Sequence, residues 1–135
     1  MIKKIIYFSV LLIVLLGAYY SMISLSERRD FSKSSLDYYL LAPNLFKNLS
    51  STDIIEERYI YSSSDGNKPM VISLIFHSMK DSAQIKSDLK EYLNSNGYKM
   101  VGSSFSDGEN REITIEATDN NANVIVKLTM LEYIK

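Results

Sequence analysis

The side chains that could do acid or base chemistry are few. His77 is the single histidine of the chain, and the carboxylates that could pair are Glu56 with Glu57 and Glu112 with Glu116. A histidine acts as a general base when a partner group orients it, and a carboxylate pair needs a shared cleft. Glu112 and Glu116 are predicted to lie on the solvent side of a strand, so no catalytic residue is assigned. An enzyme with a noncanonical site near His77, Glu56 and Glu57 remains an alternative.

Metal and cofactor chemistry finds little support in the sequence. The chain has no cysteine, which excludes disulfides, thiolate nucleophiles, cysteine zinc sites and a lipid-modified cysteine. Residues 65–67 and 107–110 carry oxygen ligands, but neither segment has the twelve-residue spacing of an EF-hand, and both are typical of turns. No glycine-rich phosphate loop or dinucleotide motif is present. We therefore predict no metal and no cofactor.

Length and charge narrow the class of protein. The chain has 135 residues, of which 15 are basic and 16 acidic, giving a net charge of −1. That length accommodates one domain. A near-neutral chain lacks the basic field that attracts nucleic acid phosphates, so nucleic acid is not an expected partner.

The N-terminal segment has the strongest pattern in the sequence. Lys3 and Lys4 precede an uncharged run over residues 5–25, and four charged residues follow from Glu27. A membrane-spanning helix needs about 20 apolar residues, whereas the core of a cleaved signal peptide usually has about 7–15. We predict an uncleaved anchor that contacts the lipid bilayer. Its representative residues are Ile5, Leu11, Leu12, Leu15, Leu16 and Leu25.

Two alternatives for this segment stay open, a cleaved signal peptide and a buried core helix. An amphipathic helix lying on the membrane is disfavoured because the run has no charged face. Basic residues flank both ends of the run, so the positive-inside rule alone does not determine the orientation of the helix in the membrane. A short basic tail followed at once by an apolar run is the usual form of a signal anchor. We therefore predict a single-pass protein with residues 31–135 outside the cytoplasm, in the periplasm if the protein is bacterial.

Residues 31–56 are predicted to form a linker with short helical segments after an anchor at residues 1–30. Ser34 or Ser35 could cap a first helix, and Pro43 would end it and begin a second. The apolar side chains here, and two tyrosines on one face of the next strand, are possible contacts for a protein partner, since exposed apolar surface usually marks an interface. They are Tyr38, Tyr39, Leu41, Phe46, Tyr59 and Tyr61. Core packing is the alternative.

Residues 57–135 are predicted to form a small α+β domain. Two strands joined by a turn precede a helix that Asp81 caps and Gly97 ends, with Ile85, Leu89 and Leu93 on one face. Three further strands follow, over residues 98–104, 112–118 and 124–131. The alternation of apolar and polar residues in the last two predicts a sheet with one wet face. The expected architecture is a β-β-α-β-β-β, mainly antiparallel sheet with one helix packed on one face.

These patterns together favour a membrane-anchored, non-catalytic module that binds or assembles with a protein partner. One version is an immunity or inhibitor protein directed against a toxin, and another is an accessory subunit of a membrane assembly. A small-ligand or lipid sensor and a noncanonical enzyme are the remaining alternatives.

Overall fold

The computed structural model describes residues 2–49 and 53–134, and residues 50–52 of the predicted linker lie outside this part of the chain. The helices in the described residues are α1 (Ile2–Ser24), α2 (Leu36–Leu41), α3 (Asn44–Lys47) and α4 (Ser82–Ser95). The strands there are β1 (Arg29–Phe31), β2 (Ile54–Ser62), β3 (Met70–Ser78), β4 (Lys99–Val101), β5 (Ser104–Ser106), β6 (Arg111–Asn120) and β7 (Asn123–Glu132).

The strands form one open sheet in the order β1-β2-β3-β7-β6-β5-β4, and all six pairings between the described strands are antiparallel. The predicted α+β class, with an apolar N-terminal helix and an antiparallel sheet, is confirmed. The strand predicted over residues 98–104 is instead the short hairpin β4–β5. Its turn contains Gly102, whose φ of +62° is favourable for glycine. Three residues per strand are too few to show a clear alternation.

The two faces of the sheet differ in what covers them. On the covered face, alternate residues of β3 and β7 are buried in the same core as the inward residues of α4, Ile85, Leu89 and Leu93, which are buried as predicted. The buried apolar side chains of the two central strands are Ile72, Leu74, Phe76, Val124, Val126, Leu128 and Met130. The intervening residues point to the opposite side, which we call the open face. Because successive side chains of a strand point to opposite faces, every second residue of β3 and β7 lies in the core.

Helix α4 has the ends that its sequence predicts. The Asp81 carboxylate accepts a hydrogen bond from the Gln84 amide at 2.8 Å, and Gly97 has a φ of +90° just after the helix. The Asp81 carboxylate satisfies a backbone donor in the first turn of the helix. Gly97 takes the left-handed conformation that ends the helix, which glycine adopts without strain. The Tyr92 hydroxyl donates to the Leu45 carbonyl at 2.6 Å, which ties α4 to α3.

Residues 29–49 are part of the folded domain, in contrast to the linker predicted over residues 31–56. Strand β1 pairs with β2, and the Phe31 ring stacks on Tyr59 with a centroid distance of 5.4 Å. Tyr38 of α2 and Phe46 of α3 are buried in the same core. Pro43 divides this segment into two short helices, so no long periodic pattern indicates its burial. The domain therefore begins near Arg29, ahead of the boundary at residue 57 that the pattern suggests.

Burial of tyrosines makes the domain sensitive to alkali. Burial raises the pKa values of Tyr59, Tyr61, Tyr92 and Tyr98, and for Tyr59 the Glu57 carboxylate adds to this effect. The unfolded chain, with tyrosine pKa values near 10, then ionises first as the pH rises. The resulting stability is complete below pH 10 and is lost as the pH rises toward the folded pKa values.

We expect the urea midpoint to fall above pH 10, with Tyr59 alone accounting for roughly 1 kcal/mol at pH 11. Circular dichroism at pH 8 to 11 measures this. Because lysines also titrate in this range, the Tyr59→Phe variant isolates the effect: it should lose less stability between pH 9 and pH 11 than the parent. An equal loss in both proteins would contradict the prediction.

Candidate functional site

Helix α1 is long and apolar enough to cross a membrane. The stretch Lys3–Ile23 has 21 residues and none of its most apolar window is buried by the rest of the protein. The predicted anchor residues Ile5, Leu11, Leu12, Leu15 and Leu16 are all exposed along the helix, and Leu25, just beyond its end, is exposed as well. A core helix would bury such side chains, so the core-helix alternative does not fit this fold.

The last turns of α1 are fastened to the domain. The Tyr19 hydroxyl donates to Asp37 Oδ1 at 2.9 Å, and Arg29 Nε donates to Asp37 Oδ2 at 3.1 Å. Asp37 is buried in the first turn of α2, and Ile23, in the last turn of α1, is fully buried as well. A buried carboxylate is tolerated when charged and hydrogen-bonding partners surround it. These four residues form the contact that we call the junction.

The segment that follows α1 is also held by the sheet. The Ser63 amide donates to the Ser26 carbonyl at 3.3 Å, and the Ser62 hydroxyl donates to the Glu27 carbonyl at 2.6 Å. Strand β1 begins at Arg29, only a few residues after the helix ends. The chain therefore passes from α1 into the sheet without a free linker, and the domain has a fixed position relative to the helix.

The residues predicted to contact a partner are mostly in the core. Tyr38, Phe46, Tyr59 and Tyr61 are buried, and Leu41 packs against the core while partly exposed. The Tyr38 and Tyr59 rings meet edge to face with a centroid distance of 5.3 Å, an arrangement that aromatic pairs favour. These side chains provide no surface for a partner, and the core-packing alternative describes them. Tyr39 is the exception, with 66% of its surface exposed.

Tyr39 belongs to an exposed apolar surface of which it is the one member among the predicted partner contacts. Leu36 and Leu40, also on α2, are exposed beside it. We call Leu36, Tyr39 and Leu40 the α2 patch. Their spacing of three and four residues places them on one side of a helix, while Asp37, Tyr38 and Leu41 turn inward. This spacing was visible in the sequence, but it could not indicate which side the domain covers.

The groove around His77 brings together the residues of the enzyme alternative. Glu56, Glu57, Arg58, Ile75 and His77 line an open groove of about 350 Å³. The pairing of β2 with β3 shifts between Ile55 and Arg58, and Glu56 has a φ of +53°, so a bulge turns the two glutamates toward this edge.

The contacts in this groove do not assemble an acid–base pair. In residues 2–49 and 53–134, no hydrogen bond or ion pair joins His77 to either glutamate. Glu57 Oε1 instead lies 3.2 Å from Lys33 Nζ. On the open face, Glu116 is exposed and lies 3.9 Å from Lys127 Nζ, as expected of a polar position on a wet sheet face.

The open face carries more apolar surface than its wet environment requires. No helix within the described residues covers it, yet apolar side chains occur on four of its positions in β3 and β7 and on two in β2. They are Ile55, Ile60, Val71, Ile75, Ile125 and Leu131. A hydrogen bond of 3.1 Å joins the hydroxyls of Ser73 and Thr129 near the centre. Val71 and Ile75 alternate along β3 with the covered-face residues Ile72, Leu74 and Phe76, so both faces of this strand carry apolar side chains.

The fold and the junction define a class of protein: an α+β domain with an open antiparallel sheet, attached directly to one N-terminal helix that is long and apolar enough to cross a membrane. No protein-family model matches the chain, and neither a curated protein nor a solved structure shows significant similarity to it.

Proposed function

We propose that this protein is a single-pass, membrane-anchored, non-catalytic module that binds a protein partner through the open face of its sheet. The observation that carries the proposal is the band of apolar side chains on that face. The domain is proposed to lie outside the cytoplasm, in the periplasm if the protein is bacterial, with Lys3 and Lys4 on the cytoplasmic side.

The composition of the open face suits a protein interface. Ile75 lies opposite Lys127 and Ile125 lies opposite His77 across the pairing of β3 with β7, so the two isoleucines are diagonal neighbours, and both are partly exposed. Ser73, His77, Lys127 and Thr129 interrupt the apolar residues of these two strands, while Arg58 and Glu116 lie on the neighbouring strands β2 and β6. Protein interfaces commonly mix apolar and polar side chains in this way. A sheet face that contacts only water would have polar residues at most of the six open-face positions that are apolar here.

The junction supports the same function. A domain without a flexible linker keeps its binding face at one height and orientation relative to the membrane. A preorganised surface loses less freedom on binding, so more of the contact energy appears as affinity. This favours a partner that is itself in or at the membrane. The immunity or inhibitor version of the hypothesis differs only in the identity of that partner.

Site-specific photocrosslinking in cells tests this proposal. A benzoylphenylalanine residue is placed in the full-length protein at Ile125 or at Leu131 on the open face, and at Met100 on the exposed edge strand β4 as a control. We expect one discrete adduct from the open-face positions and none from position 100. The Ile75→Glu change should abolish the adduct, whereas the conservative Ile75→Val change should preserve it, because a buried unpaired charge is unfavourable at an interface.

The outcomes separate the alternatives. Absence of an adduct at both open-face positions, or the same adducts at position 100, would refute this binding surface. An adduct with the mass of two copies would make the partner a second chain of the same protein. A small-ligand sensor or an enzyme near His77 would produce no protein adduct that depends on Ile75.

A further inference from the structure

We infer that the α2 patch, formed by Leu36, Tyr39 and Leu40, lies in the headgroup layer of the bilayer, so that the domain rests on the membrane surface. This inference rests on the membrane anchoring proposed above and extends it from α1 to the domain. The occupant of the patch is the phospholipid interface.

The length of the membrane helix fixes where the bilayer must end. A hydrocarbon core of about 30 Å needs about 20 residues at a rise of about 1.5 Å per residue. Lys4 is the last charged residue before the apolar run, so the count begins at Ile5 and ends at Ser24. The boundary between hydrocarbon and headgroups therefore lies close to the last residue of α1.

The junction holds α2 at this boundary. Tyr19 precedes Ser24 by five residues, which places it about 7 Å inside the boundary for an upright helix. Its hydroxyl is 2.9 Å from the Asp37 carboxylate of α2. The α2 helix therefore cannot lie far above the membrane while α1 spans it. A tilt of α1 or a locally thinner bilayer changes this depth by a few Å and leaves α2 within the headgroup layer.

The exposed side chains of α2 have the chemistry that this layer selects. Leu36 and Leu40 are 48% and 38% exposed, and Tyr39 is 66% exposed. The only charged residue of α2, Asp37, is turned inward and paired with Arg29. Tyrosine is enriched at the membrane–water interface because its ring is apolar and its hydroxyl is polar. Beside an apolar helix, such a patch contacts lipid without burying a charge.

Two lysines flank the α2 patch. Lys47 Nζ donates to the Tyr39 carbonyl at 2.9 Å and lies 5.5 Å from the centre of the Tyr38 ring. Lys33, three residues before Leu36, has 65% of its side chain exposed and contacts Glu57. An ammonium group has three donors, so both lysines retain donors for lipid phosphates. Their positions beside the apolar residues match the order of charge and hydrocarbon at a bilayer surface.

The experiment uses single-cysteine variants, and because the chain has no native cysteine, none has to be replaced first. Full-length protein with cysteine at position 36, 39 or 40 is labelled with the fluorophore NBD. It is then reconstituted into vesicles of phosphatidylcholine and phosphatidylglycerol containing a lipid with a quencher near the headgroup. The control positions are Met100 and Val101, which are similarly exposed on β4, and Leu12, which lies in the membrane helix.

We expect blue-shifted emission and loss of about half the fluorescence at positions 36, 39 and 40, as for side chains 5–10 Å into the interface, with little change at positions 100 and 101. For Leu12, a quencher deeper in the acyl chain should be effective. Quenching at Leu12 without quenching at the α2 patch would overturn this inference and leave the anchor intact.

Absence of quenching at every position would show that α1 is not inserted, and both the anchoring proposal and this inference would fail. Protection of the α2 patch from iodide without lipid quenching would identify a protein cover instead of lipid, and this too would overturn the inference. Energy transfer between labelled copies would indicate that the cover is a second copy of the chain.

Discussion

Full-length protein carrying both Leu12→Lys and Leu15→Lys is expected to leave the membrane fraction. Both residues lie near the middle of Lys3–Ile23, and both are exposed on α1. A lysine at the centre of a membrane helix is unfavourable by about 3 kcal/mol on insertion scales, and each leucine also loses a small favourable contribution. Two substitutions therefore oppose insertion by roughly 6 kcal/mol, enough to reverse it.

Vesicle flotation and extraction with carbonate measure this effect. The matched control carries Leu12→Met and Leu15→Met, which preserve apolar side chains of similar size and should remain in the membrane. If the lysine variant still floated with vesicles and resisted carbonate, the anchor would be refuted. Mass spectrometry of the parent distinguishes retention from cleavage, since an uncleaved anchor leaves the mass of the full chain.

The second large effect is expected from Phe76→Ala. Phe76 is fully buried in β3, where it pairs with Val126 of β7, and Val126 in turn pairs with Ala117 of β6. Loss of a buried phenylalanine side chain leaves a cavity and removes apolar surface, which typically lowers the free energy of unfolding by 3–5 kcal/mol. Most small domains have a total stability of about 5–15 kcal/mol, so this loss is a large share of it.

The adjacent residue provides the control for this prediction. Ile75 lies next to Phe76 in β3 but points to the open face, where it is partly exposed. We expect Ile75→Ala to destabilise the domain by about 1 kcal/mol, because less apolar surface is lost and no enclosed cavity forms. Urea unfolding of full-length protein in mild detergent, followed by circular dichroism, compares the two. Equal effects would contradict the assignment of the two faces.

The sequence alone was sufficient for the elements whose signals are local. The alternation in residues 112–118 and 124–131 predicted the two long strands β6 and β7, and Asp81 and Gly97 marked the two ends of α4. The uncharged run over residues 5–25 predicted α1. Each of these signals depends on residues within a single helix or strand and its ends, and in the strands the period of the backbone determines which side chains share a face.

The tertiary structure decided which apolar residues are covered. Tyr38 and Tyr39 are neighbours of the same chemical type, yet one packs on Tyr59 and the other faces outward. Residues 29–49 show no long periodic pattern, and their membership of the domain depends on β1 pairing with β2 across about 30 residues of chain. Local sequence does not specify contacts over such a separation.

The candidate surfaces illustrate the same limit. Six residues were predicted as partner contacts, and the core encloses four of them, while Leu36 and Leu40 of the α2 patch were not among them. The contact between Tyr19 and Asp37, which fixes the height of α2, joins residues 18 positions apart. A sequence determines which residues are apolar and how they repeat. Only the folded chain decides which of them remain uncovered, because burial depends on what packs against each side chain.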